Sequence, residues 1–136
     1  MNYLQLYVHL VWATWGRNPW ITDEIEARMY GAILKKCRDL KCKPLAIGGI
    51  SDHVHLLVTL HPSVSVANLA GNVKGFSSHV INEVVLTESM FKWQGGYGAF
   101  TLRKDDIPQI YDYVHNQKRH HAESNLISDF ERIDAE

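Results

Sequence analysis

Two apolar runs, KPLAIGGIS and HVHLLVTL, stand back to back with a short turn near Ser51 and Asp52 between them. Strands joined so tightly pair antiparallel as a hairpin. Each side of the pair carries a helical pattern. Upstream, Ile25, Met29, Ile33, Cys37 and Leu40 recur at helical spacing behind an N-cap signal, Thr22 followed by Asp23 and Glu24. Downstream, from about Ser65, the stripe is Val66, Leu69, Val73, Phe76, Val80 and Val84. A hairpin held between two helices leaves few topologies open.

The flanks complete the order. In residues 3 to 12, Leu4, Leu6, Val8, Leu10 and Trp12 alternate with Tyr3, Gln5, Tyr7 and His9, as in a half-buried strand. WGRNPWI is a turn with Pro19, KWQGGYG is a loop, and YGAFTL is a fourth strand. A last helix begins near Asp105 and runs to about His121, with Ile107, Ile110, Tyr111 and Val114 as its buried stripe. The order β-α-β-β-α-β with a C-terminal helix predicts an α+β, ferredoxin-like antiparallel sheet in which the first and third strands are central neighbours. One domain is expected over 1–136, with its core at about 3–121 and a polar tail at 122–136.

Composition narrows the function classes. Lys plus Arg is 14, Asp plus Glu is 15 and the formal net charge is −1, so this is no simple polycation that coats nucleic acid. Contacts to nucleic acid must come from a local patch, a metal ion or bases. No apolar run is long enough to span a membrane. The start, MNYLQLYVHLVWATW, lacks a basic n-region and a small-residue cleavage site, so the expected compartment is the cytoplasm. Cys37 and Cys42 do not form a CxxC and read as a buried, reduced pair.

One face of the predicted sheet is unusual. Alternate residues of a strand share a face, so His53 and His55 stand side by side while Val54, Leu56 and Val58 point the other way. Tyr7 and His9 of the first strand join the histidine face. The pair is compatible with satisfied core histidines or with a metal site, which needs a third ligand. On the last helix, Tyr113 and Gln117 lie one turn apart on the flank of the buried stripe, within reach of the sheet.

These pieces together resemble one family. DHVHLLV on a strand, VKGFSSHVIN on a helix, WQGGYGAFTL, and YVHNQ on a late helix are similar to the single-tyrosine HUH transposases of insertion sequence 200/605 type, which include the REP-associated tyrosine transposases. HUH denotes His, a bulky hydrophobic residue and His, here His53-Val54-His55. The family's tyrosine helix often reads Tyr-Ile-x-Asn-Gln, here Tyr113 to Gln117. The resemblance implies that His53, His55 and Gln117 bind a divalent metal, Mg²⁺ or Mn²⁺, and that Tyr113 is the nucleophile. It implies cleavage and rejoining of single-stranded DNA through a 5′-phosphotyrosine. It implies that this DNA often carries a hairpin at the element end. It further implies a homodimer whose active sites are shared between subunits.

Candidate DNA contacts are Arg17, Lys74, Ser77, Ser78, Lys92, Arg103, Lys118 and Arg119, with Trp93 and Tyr97 as possible stacking platforms and His9 as a partner behind the metal ligands. Three rival readings stand beside this one. A histidine-triad hydrolase needs a third His where Leu57 stands. A structural metal could sit on His9, His53 and His55. A catalytically silent nucleic-acid-binding module would keep the fold and discard the metal.

Overall fold

The computed structural model describes residues 2–84, 90–123 and 126–134. The elements are β1 (Tyr7–Ala13), α1 (Asp23–Asp39), β2 (Lys43–Ile50), β3 (His53–Thr59), α2 (Val66–Val84), β4 (Gly98–Leu102), α3 (Ile107–His115) and α4 (Gln117–Ala122). Short 3-10 turns occupy Trp15–Arg17, Lys104–Asp106 and Ser128–Glu131. The sheet order is β2-β3-β1-β4 with antiparallel neighbours throughout, the predicted ferredoxin-like arrangement with β1 and β3 in the middle. No helix among the described residues is long and apolar enough to cross a membrane.

β1 is shorter than its alternation predicts. Tyr7 stands opposite both Thr59 and Leu102, where β3 and β4 end, so residues 3–6 have no partner strand on either side. Tyr3 is accordingly 83% exposed. α1 starts as expected, with the Thr22 hydroxyl accepting from the Ile25 amide at 3.4 Å. Cys37 and Cys42 are buried, unpaired thiols.

One sheet face packs on α1 and α2 through Val8, Leu10, Trp12, Val54, Leu56 and Val58 against Met29, Ile33, Leu69, Val73 and Ile81. The buried line of α2 is Leu69, Val73, Ser77 and Ile81, a rotation from the predicted stripe, and Val84 is exposed. Trp93 explains the difference. Its indole N–H donates to the Ser77 hydroxyl at 3.0 Å, and that hydroxyl donates to the Val73 carbonyl at 2.6 Å. A polar residue thus sits in the core with its hydrogen bonds made.

The other face carries a smaller core of Ala46, Leu57, Ile110 and Val114, with Phe130 packed against it. The last helix is broken at Asn116 (φ −108°, ψ 33°) into α3 and α4. Its inward residues are Ile110, Tyr113, Val114 and Gln117. Tyr111, predicted to be in the buried stripe, is instead 41% exposed and stacks on His115. The helix settles with Tyr113 inward because Gly48 lets its backbone touch the sheet. A Cβ at Gly48 would lie 2.0 Å from the Val114 carbonyl oxygen.

That contact fixes an expected outcome. Gly48→Ala forces α3 off β2 and should cost about 1–3 kcal/mol of stability, as overpacking does. Gly31→Ala, on an open face of α1 with nothing within 4 Å, should stabilise by about 0.5–1 kcal/mol. Urea unfolding of both variants checks the pair. Equal, small effects would mean that the backbone contact does not seat the helix.

Candidate active site

β3 and β1 deliver three imidazoles to one face. His53 and His55 alternate on β3, and His9 comes from the neighbouring strand; each is at most 1% exposed. A buried imidazole needs partners; His53 and His55 have them at both ring nitrogens, and His9 has one at Nε2 while its Nδ1 has none. His53 Nδ1 lies 2.8 Å from the Asp52 carboxylate, which leaves Nε2 facing outward from the sheet. His55 Nδ1 lies 2.8 Å from His9 Nε2, which turns its own Nε2 the same way. This is how ligating histidines are oriented, by a partner on the far ring nitrogen.

Three further groups converge on the two Nε2 atoms, and a fourth, Tyr113, joins through one of them. Gln117 Oε1 is 3.3 Å from His53 Nε2. The Gln117 amide donates to the Tyr113 carbonyl at 3.0 Å, which holds the oxygen toward the histidines. His121, one turn further along α4, brings its Nε2 to 3.2 Å from His53 Nε2 and 3.1 Å from Gln117 Oε1. Glu131, from the last turn, lies 3.3 Å from His53 Nε2 and 3.1 Å from His55 Nε2. The Tyr113 hydroxyl donates to the same carboxylate and accepts from the Ile127 amide at 3.1 Å. His53, His55 and Glu131 present ligand atoms within 4.8 Å of one another and could hold a metal ion.

Charge follows geometry. Burial lowers the His53 pKa, but hydrogen bonds to Asp52 and Glu131 more than offset it and raise it to about 9. Burial lowers the pKa of His55, and burial, together with the repulsion that two protonated rings would meet, lowers that of His9 to about 3. Burial opposes ionisation of Glu131, yet hydrogen bonds from His53 and His55 hold it well below the usual carboxylate range. Burial and the bond to Glu131 push Tyr113 up to about 12, so its hydroxyl is protonated at neutral pH.

The structure therefore brings His53, His55, Gln117 and Tyr113 together, with His9 directly behind His55. All of them belong to the single chain described, and the sharing of sites between subunits implied by the resemblance concerns a second copy of it. The expected DNA contacts divide. Ser77 and Trp93 are buried and bonded to each other, and cannot meet phosphate or base. Lys74 is occupied by the Gln94 and Gly96 carbonyls at 2.9 and 2.8 Å, and the Ser78 hydroxyl by the Gly75 carbonyl at 3.1 Å. Lys118 pairs with Glu26 at 2.6 Å. Tyr97 is half-buried against the core. Arg103 pairs with Asp105 at 3.5 Å, beyond Leu102 at the end of the sheet away from His53. Arg119 is exposed. Arg17 lies 3.8 Å from Asp52, beside the site, and Lys92 stands 3.9 Å over the exposed Trp15 ring.

Three site residues escaped the sequence reading. Asp52 was visible only as a turn residue. His121 continues the Tyr113, Gln117 spacing by one more turn. Glu131 sits in a tail read as polar, although Leu126, Ile127, Phe130 and Ile133 recur there at helical spacing.

Comparisons with known proteins place the chain in a family. Residues 2–117 match the family model described as "Transposase IS200 like". The chain belongs to the IS200-like transposases. It is 31% identical over 116 residues to the transposases for insertion sequence element IS200 of Salmonella typhimurium and Salmonella typhi, across 80% of this chain and 74% of theirs. The fold matches a crystal structure of a transposase candidate from Deinococcus radiodurans R1 with a TM-score of 0.68 at 22% identity, over 86% of this chain and 95% of that one. It also matches a REP-associated tyrosine transposase bound to a REP hairpin, with a TM-score of 0.66 at 15% identity, over 93% and 76%. The IS200-like match ends at Gln117, so His121 and Glu131 lie beyond it.

The charge pattern sets a pH profile for this transposase. His53 has a folded pKa above the ordinary 6.5, so its contribution is full below 6.5 and is lost as pH rises through about 9. His9 and His55 are shifted down, so their contribution is present above 6.5 and falls as the unfolded chain takes up protons. Chelator-treated protein should therefore melt highest near neutral pH. Asp52→Asn should remove most of the alkaline limb. A wild-type melting temperature that is flat from pH 6.5 to 9 would show that His53 is not held protonated.

Proposed function

We propose that this transposase cleaves and rejoins single-stranded DNA through a 5′-phosphotyrosine on Tyr113, in a site where His53, His55 and Gln117 hold a divalent ion, Mg²⁺ or Mn²⁺. The observation that carries the reading is the packing of Tyr113 and Gln117 on the His53–His55 face of the same chain. The donor set fits such an ion once His53 gives up its proton: two imidazole nitrogens and an amide oxygen, with Asp52 and His9 fixing the rings. When bound, a divalent ion supplies Lewis acidity at a phosphate oxygen.

The protein supplies the rest. Gln117 and Tyr113 share a helical face, so fixing the amide also aims the phenol. Tyr113 Oη attacks the scissile phosphorus, a P–Oη bond forms, and the P–O3′ bond breaks. Tyrosine gives up one proton and the departing 3′ oxygen takes one up. The phosphodiester energy is kept in the tyrosyl ester, so a 3′ hydroxyl can reverse the step without ATP. Arg17 and Lys92, with the open face of Trp15, form a basic and aromatic surface beside Asp52 suited to an unpaired strand. The hairpin bound by the REP-associated relative supports a hairpin-bearing substrate here.

Labelled single-stranded DNA from the gene's flanks is expected to give a covalent protein–DNA band that requires Mg²⁺ or Mn²⁺. Tyr113→Phe should bind DNA and form no adduct, while Tyr111→Phe stays active. His55→Ala should cost more than the roughly 10–100-fold typical of outer partners, and His9→Ala should fall in that range. An adduct mapped to any other residue removes the assignment, and no adduct with any flank favours a silent DNA-binding module. The resemblance adds a homodimer with shared sites, and in that arrangement mixing His55→Ala with Tyr113→Phe protein should restore cleavage. No rescue in a sample shown to contain mixed dimers would leave each site built within one chain.

A further inference from the structure

We propose that Glu131 is a further ligand of the divalent ion, so that the C-terminal strap, residues 126–134, docks and binds metal as one coupled event. This rests on the reading of His53, His55 and Gln117 as ligands. Glu131 lies outside the region matched by the IS200-like family model, so the inference concerns this chain.

Geometry is the first support. With metal–ligand bonds of about 2.0–2.2 Å, neighbouring donors of a coordination shell stand roughly 3.0–3.5 Å apart. His53 Nε2 to Gln117 Oε1 is 3.3 Å, His53 Nε2 to Glu131 Oε1 is 3.3 Å, and His55 Nε2 to Glu131 Oε2 is 3.1 Å. The carboxylate makes a shell edge with each histidine, and the three ligand atoms lie within 4.8 Å of one another.

Charge is the second. Two imidazoles and an amide are neutral, and a dication among buried groups needs anions. Asp52 supplies one, but only behind the His53 ring. Glu131 places a second negative charge in direct reach of both Nε2 atoms.

The strap is built to deliver that carboxylate. Phe130 packs edge-on against His9 and Tyr113 at ring separations of 5.5 and 5.4 Å. The Ile127 amide donates to the Tyr113 hydroxyl at 3.1 Å. Coupling between two binding events is reciprocal. An ion that needs Glu131 must protect the strap, and a strap that is loosened must weaken the ion.

Titration calorimetry with Mn²⁺ on the full chain, with hydrogen exchange of 126–131, tests this. Glu131→Gln should weaken Mn²⁺ by about tenfold or more. Phe130→Ala, which loosens the strap and keeps every donor, should weaken it by about threefold or more. Mn²⁺ should slow exchange of the strap in wild type and not in Glu131→Gln. His53→Ala should lose Mn²⁺ whether or not Glu131 is a ligand, which separates the two readings. Wild-type affinity, or tighter binding, in Glu131→Gln would overturn the proposal and make the carboxylate a competitor for the histidines. Wild type that binds no Mn²⁺ would overturn both readings.

Discussion

The antiparallel pairing of β1 with β3 is the constraint on which the rest of the molecule depends. Val11 stands opposite His55 and Ala13 opposite His53, so the two-residue period of each strand sorts side chains onto the same two faces. Val8, Leu10, Trp12, Val54, Leu56 and Val58 become one continuous apolar surface under α1 and α2. His9, His53 and His55 become a second surface that must be covered by something polar. A slip of β3 by one residue would bury His53 and His55 in the main core and turn Val54, Leu56 and Val58 outward, so hydrophobic burial holds the register. The site inherits its precision from that pairing.

What covers the second surface is a helix with two jobs. Ile110 and Val114 fill the apolar part over Ala46 and Leu57, and Tyr113 and Gln117 fill the polar part. An unbroken helix would carry both kinds of residue along one straight line. The break at Asn116 changes direction between Val114 and the imidazoles, so Gln117 and His121 both turn toward His53. Close approach at Gly48 sets the depth of the helix, and the register of β3 sets what it meets there.

Patterns with one dominant period were legible in the sequence. The four strands, the capped first helix and the same-face histidines followed from alternation and from Thr22. The face of the last helix did not, because Tyr111 and Tyr113 are chemically alike and only the backbone contact at Gly48 selects which turns inward. Ser77 misled for the opposite reason. Its hydroxyl reads as surface until the indole of Trp93, sixteen residues on, is known to satisfy it. Glu131 and Asp52 act through partners distant in sequence or through a turn, and neither leaves a periodic trace. The site was thus visible where it lies on regular elements and hidden where it lies on turns.

The slightly acidic character of the chain takes on a local meaning here. A polycationic surface would bind DNA anywhere, with affinity set by salt. This site instead gathers protonated His53 between two ionised partners, Asp52 and Glu131, so that the cluster carries more negative than positive charge. Such a cluster gives little long-range pull on a phosphate backbone, and it is stable only while its charges stay paired. Exchange of the His53 proton for a dication would keep the carboxylates paired and add positive charge facing Tyr113. In the proposed reading, the attraction for phosphate would then arise beside Tyr113 rather than over the whole surface, which would let a protein of net charge −1 act on DNA.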